Sequence, residues 1–151
     1  MTPATSVLLL TTLTGFGYGL IAWLGILAAL GFLPPAPLFL PVAVVVGLGF
    51  ANAGLTASML HLGHPERAWR SFSQWRSSWL SREGVAALST FPPAIAFAAL
   101  WWVLGPDALA TRTFGVVAAV LGLVTVGCTA MIYASLKPIR SGITRIRHRT
   151  I

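Results

Sequence analysis

Apolar residues dominate this chain in long runs, and the polar residues between them are gathered into a few places. Four runs lack charge and exceed the length of a soluble core helix: about residues 7–33, 38–60, 84–104 and 113–136. Each is long enough to cross a hydrocarbon layer of about 30 Å as a helix. The pattern therefore predicts an all-α integral membrane protein, one membrane domain over residues 1–151 with four transmembrane helices. Four prolines between Pro34 and Pro41 separate the first two runs with no charge among them. A short turn of that kind makes the first two helices antiparallel neighbours. Pro92 and Pro93 interrupt the third run, where they free backbone carbonyls and favour a bend.

The second and third runs are joined differently. Leu60 to Glu83, LHLGHPERAWRSFSQWRSSWLSRE, holds two of the three histidines and two of the three acidic residues in the chain. Within it Ala68, Phe72, Trp75 and Trp79 recur at helical spacing, with Arg67, Arg70, Gln74 and Ser77 away from that face. This predicts a helix lying along the membrane interface between the second and third spans, with its tryptophans at headgroup depth or against another chain. Trp101 and Trp102 suit an interfacial belt at the far end of the third span. Two clusters of small residues are expected to let helices approach closely. One is the GxxxG pair Gly15 and Gly19; the other is Gly47, Gly49, Ala51, Ala53 and Gly54. Asn52 is the amide among them, suited to an interhelical hydrogen bond.

Composition agrees. Charged residues make up 9% and hydrophobic residues 56%, against about 25% charged in soluble domains. The net charge of +7 fits topology better than nucleic-acid binding, and no nucleic-acid partner is expected. Arg67, Arg70, Arg76 and Arg82 precede the third run. Lys137, Arg140, Arg145, Arg147 and Arg149 fill the basic tail, residues 137–151. In a four-span chain both clusters fall on one side, which the positive-inside rule makes cytoplasmic, and there they meet anionic lipid. The N-terminus lacks a basic n-region and its apolar run is too long for a signal peptide, so none is expected. Cys128 is single, which excludes an internal disulfide; it reads as a small packing residue.

Two ionisable residues stand at the ends of the polar stretch. His61 follows the second span and Glu83 precedes the third, at matching depth on one side of the membrane. Ionisable groups there are candidates for function, because histidine exchanges protons near neutral pH. Equally, His61 serves as a cap for the second helix and Glu83 as an ion-pair partner of Arg82 or Arg67, and spacing alone does not separate these readings. Metal and haem sites are less well supported. His61 and His64 straddle a glycine and precede a proline, and no span carries an interior histidine for a haem. No metal or haem ligand set is expected.

The segment HLGHPERAWRSFSQWRSSWLSRE, with MIYASLKPIR from Met131 to Arg140, resembles the membrane anchor subunits of dimethyl sulfoxide reductase-type enzymes. The carrying pattern is His-Leu-Gly, Pro, Arg-Ala-aromatic, then Ser-x-Glu. The resemblance implies a subunit of the bacterial inner membrane that oxidises menaquinol. It passes the electrons to an iron–sulfur partner subunit, which serves a molybdopterin catalytic subunit. It implies that His61 and Glu83 act at the quinol, and that Gly63, Arg67 and Trp69 bind quinol or dock the iron–sulfur partner. It implies no haem. Members of that family are about twice this length, which leaves room for a second membrane chain supplying further helices. Two other readings of the residues remain: a small transporter acting as a homodimer, and a structural anchor without quinol chemistry.

Overall fold

A computed structural model describes residues 3–59, 70 and 72–135. Four helices follow one another: α1 over Pro3–Ala29, α2 over Phe39–Met59, α3 over Trp79–Leu104 and α4 over Leu109–Ser135. All four are long and apolar enough to cross a membrane, and no strand occurs among the described residues. The bundle closes in the order α2, α1, α4, α3. α1 packs along both α2 and α4, α3 packs along α4, and α2 and α3 meet only sparsely.

Turn chemistry explains the two short connections. Gly31 after α1 has φ +74° and Gly105 after α3 has φ +83°, a region where glycine alone carries no steric penalty. The Gly105 N–H closes α3 by donating to the Trp101 carbonyl at 3.1 Å. Pro41 lies in the first turn of α2, where its missing N–H has no helical acceptor to lose. α3 continues as one helix through Pro92 and Pro93. Beyond Gly105, Arg112 and Asp107 form an ion pair at 2.8 Å, with Asp107 almost fully exposed. A pair that exposed contributes little to stability.

Helix contacts run through small residues, but through a different set from the GxxxG pair. A methyl group added at Gly15 or Gly19 would meet nothing within 4 Å. Gly17 instead lies against the backbone of Gly47 and Ala51 on α2, and Gly25 against the Gly115 carbonyl of α4. On α2 the expected small-residue surface splits. Gly47, Ala51 and Gly54 are buried, whereas Gly49, Ala53 and Asn52 are exposed. The reason is rotation: the helices are apolar all round, and which stripe faces inward is decided by which backbones fit together.

Three buried threonines are accommodated within their own helices. Thr14, Thr90 and Thr125 donate to the carbonyls of Leu10, Ala86 and Leu121, four residues back. Such bonds leave no orphan polar group where water is absent. Tyr18 of α1 donates from its hydroxyl to the Ala87 carbonyl of α3 at 3.2 Å. Trp101 is buried, with its indole Nε1 donating to the Ala36 carbonyl at 3.3 Å. It ties the α1–α2 turn to α3 and does not sit in an interfacial belt, whereas Trp102 faces outward.

The expected helix between the second and third spans is not what the described residues form. Phe72 to Gln74 make a 3₁₀ turn, Trp75 to Ser77 a further turn, and Ser78 an extended N-cap with φ −115° and ψ 125°. Trp79 then belongs to the first turn of α3. A serine with extended backbone before a helix is a preferred start signal, and it overrides the aromatic periodicity that runs across it. The earlier part of that stretch, Ala68 and Trp69 included, lies outside the described residues.

Candidate functional site

The third helix buries a regular stripe: Glu83, Ala87, Thr90, Ala94, Phe97 and Trp101, spaced alternately four and three residues apart. Glu83 is the first member of that stripe. The apolar run suggests a helix from residue 84, but α3 begins at Trp79. Glu83 therefore stands a full turn inside, about 6 Å along the axis from the helix start. It is 4% exposed. On α4 the facing stripe is Thr111, Gly115, Ala118, Gly122 and Thr125, and Thr129 continues it. The antiparallel register sets Gly115 against the Phe97 ring and Thr129 against Glu83. The Thr129 hydroxyl donates to Glu83 Oε1 at 2.5 Å. That length lies within the range for a hydroxyl bound to a carboxylate.

Arg82, next in sequence, is turned elsewhere. Its Nε donates to the Trp75 carbonyl at 2.9 Å and its Nη2 to the Arg76 carbonyl at 2.7 Å. Its guanidinium also lies 4.4 Å from the centre of the Trp79 ring. Arg82 thus fastens the end of the connecting segment to α3 and is not the ion-pair partner of Glu83. Successive helical residues point about 100° apart, so a carboxylate buried on one side leaves its neighbour's side chain at the surface. The Phe72 ring lies over Gly84, where an added methyl would come within 2.7 Å of the ring edge.

That contact gives a prediction. Gly84→Val is expected to push Phe72 off α3 and to destabilise the protein by about 1–3 kcal/mol, seen as a lower melting temperature in detergent. Adding Phe72→Ala should relieve the clash. The double variant is then less destabilised than the sum of the two single changes.

Of the site residues expected from the sequence, Glu83 alone falls among the described residues. His61, Gly63, Arg67 and Trp69 lie outside them. The chain leaves α2 at Met59 and enters α3 at Trp79, and Glu83 sits at this end of the bundle. The N-terminal part of α1 and the C-terminal part of α4 meet here too, through a 2.8 Å hydrogen bond between Thr11 and Tyr133. Among the described residues, no three His, Cys, Asp or Glu side chains are grouped to hold a metal ion, and no buried side-chain polar atom lacks a partner.

Comparison with known proteins bears on this end of the bundle. The sequence profile of the DMSO reductase anchor subunit (DmsC) family matches residues 38–147, which include α2, α3, α4 and Glu83. The chain belongs to the DMSO reductase anchor subunit family. This anchor is also 38% identical to a sulfite dehydrogenase subunit from Allochromatium vinosum, over 91% of its own length and 46% of that relative's. It thus spans about half the length of the curated relative it matches. No solved structure matches it. Membership, with four helices of spanning length, makes the chain a multi-pass membrane protein.

Sequence reasoning about the anchor missed Thr129, although a signal was there. Running the stripe back from Trp101 in steps of four and three reaches Glu83. Running the α4 stripe forward from Thr111 reaches Thr129. The short loop centred on Pro106 pairs the two stripes in opposite directions, so each end finds the other.

Proposed function

We propose that this chain is the membrane anchor and quinol-oxidising subunit of a DMSO reductase-type respiratory complex in the bacterial inner membrane. Menaquinol is its substrate. The electrons pass to an iron–sulfur partner subunit and from there to a molybdopterin catalytic subunit. The observation that carries the reading is a buried carboxyl, Glu83, held from α4 at the end of the bundle where the family's polar segment joins α2 to α3. An ionisable group within a membrane span is costly to keep and marks a functional path by default.

Oxidation of a quinol releases two electrons and two protons. In this reading His61 hydrogen-bonds one hydroxyl and accepts its proton, as an imidazole does near neutral pH. Glu83 orients His61 or takes the second proton. Arg67 steadies negative charge on the ring or docks the electron-accepting subunit, and Gly63 and Trp69 bind the quinol or dock the same partner. The sparse contact between α2 and α3 supports entry of the ring from lipid between them.

The test is quinol-dependent turnover in membranes holding the assembled complex. His61→Ala should lower it by roughly 100-fold while the iron–sulfur subunit still co-purifies. Normal turnover in both His61→Ala and Glu83→Ala would remove the quinol site from this chain and leave a structural anchor.

A further inference from the structure

The Thr129 hydroxyl has two acceptors and one proton. Glu83 Oε1 lies at 2.5 Å and the Thr125 carbonyl, one turn back on α4, at 3.2 Å. A hydroxyl donates once but accepts as well. When Glu83 is a carboxylate, Thr129 donates to it. When Glu83 carries a proton, the carboxyl donates to Thr129 Oγ1, and the hydroxyl turns its own proton to the Thr125 carbonyl. That carbonyl has a second lone pair beyond its helical bond. In both states Thr129 Oγ1 and Glu83 Oε1 stay hydrogen-bonded to each other, which matters because an unmatched buried polar group is costly.

We infer that Thr129 is a positioning residue for the proposed reaction, a hydroxyl rotor that lets the buried Glu83 carboxyl load and release a proton while the two stay hydrogen-bonded. No bond within Thr129 breaks; its O–H only changes direction, and the proton that moves is held on Glu83. The setting favours this role. Thr129 stands on α4, outside the segment that joins α2 to α3. Ionisable groups near Glu83 include Tyr18 of α1 and Cys128 of α4. Tyr18 is committed to the Ala87 carbonyl, and Arg82 is committed to the connector. Thr129 hydrogen-bonds the carboxyl directly. The inference rests on Glu83 being a proton-handling group, as proposed above.

The experiment uses membranes containing the assembled complex and follows two signals: menaquinol-dependent turnover, and the infrared band of the Glu83 carboxyl, assigned by its loss in Glu83→Gln. Thr129→Val keeps the shape and removes the hydroxyl. It is expected to move the band to higher frequency and to lower turnover by roughly 10- to 100-fold, the factor set by one hydrogen bond to a charged group. Thr129→Ser should bring back the band position and most of the rate. Thr129→Ala, which removes the same hydroxyl without the branched methyl, gives the same reading if the valine variant assembles poorly. An unmoved band with unchanged turnover in Thr129→Val and Thr129→Ala overturns this inference alone. Unchanged turnover in Glu83→Gln overturns it together with the reading of Glu83 on which it stands.

Discussion

Glu83→Gln is expected to lower quinol-dependent turnover by roughly 100-fold or more while leaving the amount of assembled complex close to normal. The two halves of that expectation have separate causes. Glutamine keeps the size of the side chain, and its amide oxygen accepts the Thr129 hydroxyl as Glu83 Oε1 does at 2.5 Å. Packing on α4 and the buried hydrogen bond are therefore retained, and helix association has no reason to weaken. The amide cannot take a proton near neutral pH, so any step that uses Glu83 as a proton acceptor is lost. Positioned proton transfer is typically worth about 10²–10⁴-fold. The measurement is the rate of menaquinol oxidation in membranes, normalised to the amount of the iron–sulfur subunit. A normal rate at normal assembly would rule out a proton role for Glu83.

Gly25→Val is the substitution expected to damage the fold most. Gly25 meets the carbonyl of Gly115 and the methyl of Ala119 on α4. A side chain there runs into backbone, which cannot swing aside as the Phe72 ring can. Overpacking usually costs about 1–3 kcal/mol, and a contact of helix backbone with helix backbone belongs at or above the top of that range. The control lies on the same helix. Gly15 and Gly19 have open space around the added group, so Gly15→Val and Gly19→Val should change stability by about 0.5 kcal/mol or less. Thermal unfolding of the three variants in one detergent decides the matter. Equal damage at all three positions would mean that the α1–α4 contact does not run through Gly25.

These contrasts show what was legible beforehand. The four spans, their antiparallel order and the polar segment between the second and third follow from composition and run length, because a bilayer sets the length of any helix that crosses it. Glu83 as a residue of interest was legible too, since so few charges interrupt the apolar runs. Its partner is not legible from the apolar runs; the stripes on α3 and α4 lead to Thr129 only once α3 is known to begin at Trp79. Taking the helix from the first apolar residue placed Glu83 outside it and made Arg82 a plausible ion-pair partner. Ser78, a good N-cap, marks the true start.

By itself, the sequence determined that this is a four-span helical membrane protein with one concentrated polar segment and a carboxyl at its edge. Tertiary structure alone decided which face of each helix is inside. In water the hydrophobic stripe of a helix marks its buried side. In lipid the outer face is as apolar as the inner one, so periodicity is muted and close backbone fit selects the contact. For that reason Gly17 and Gly25, not Gly15 and Gly19, carry the packing of α1. The same fit turns Trp101 inward and Trp102 out, and it brings Thr129 of α4 onto the carboxyl of Glu83.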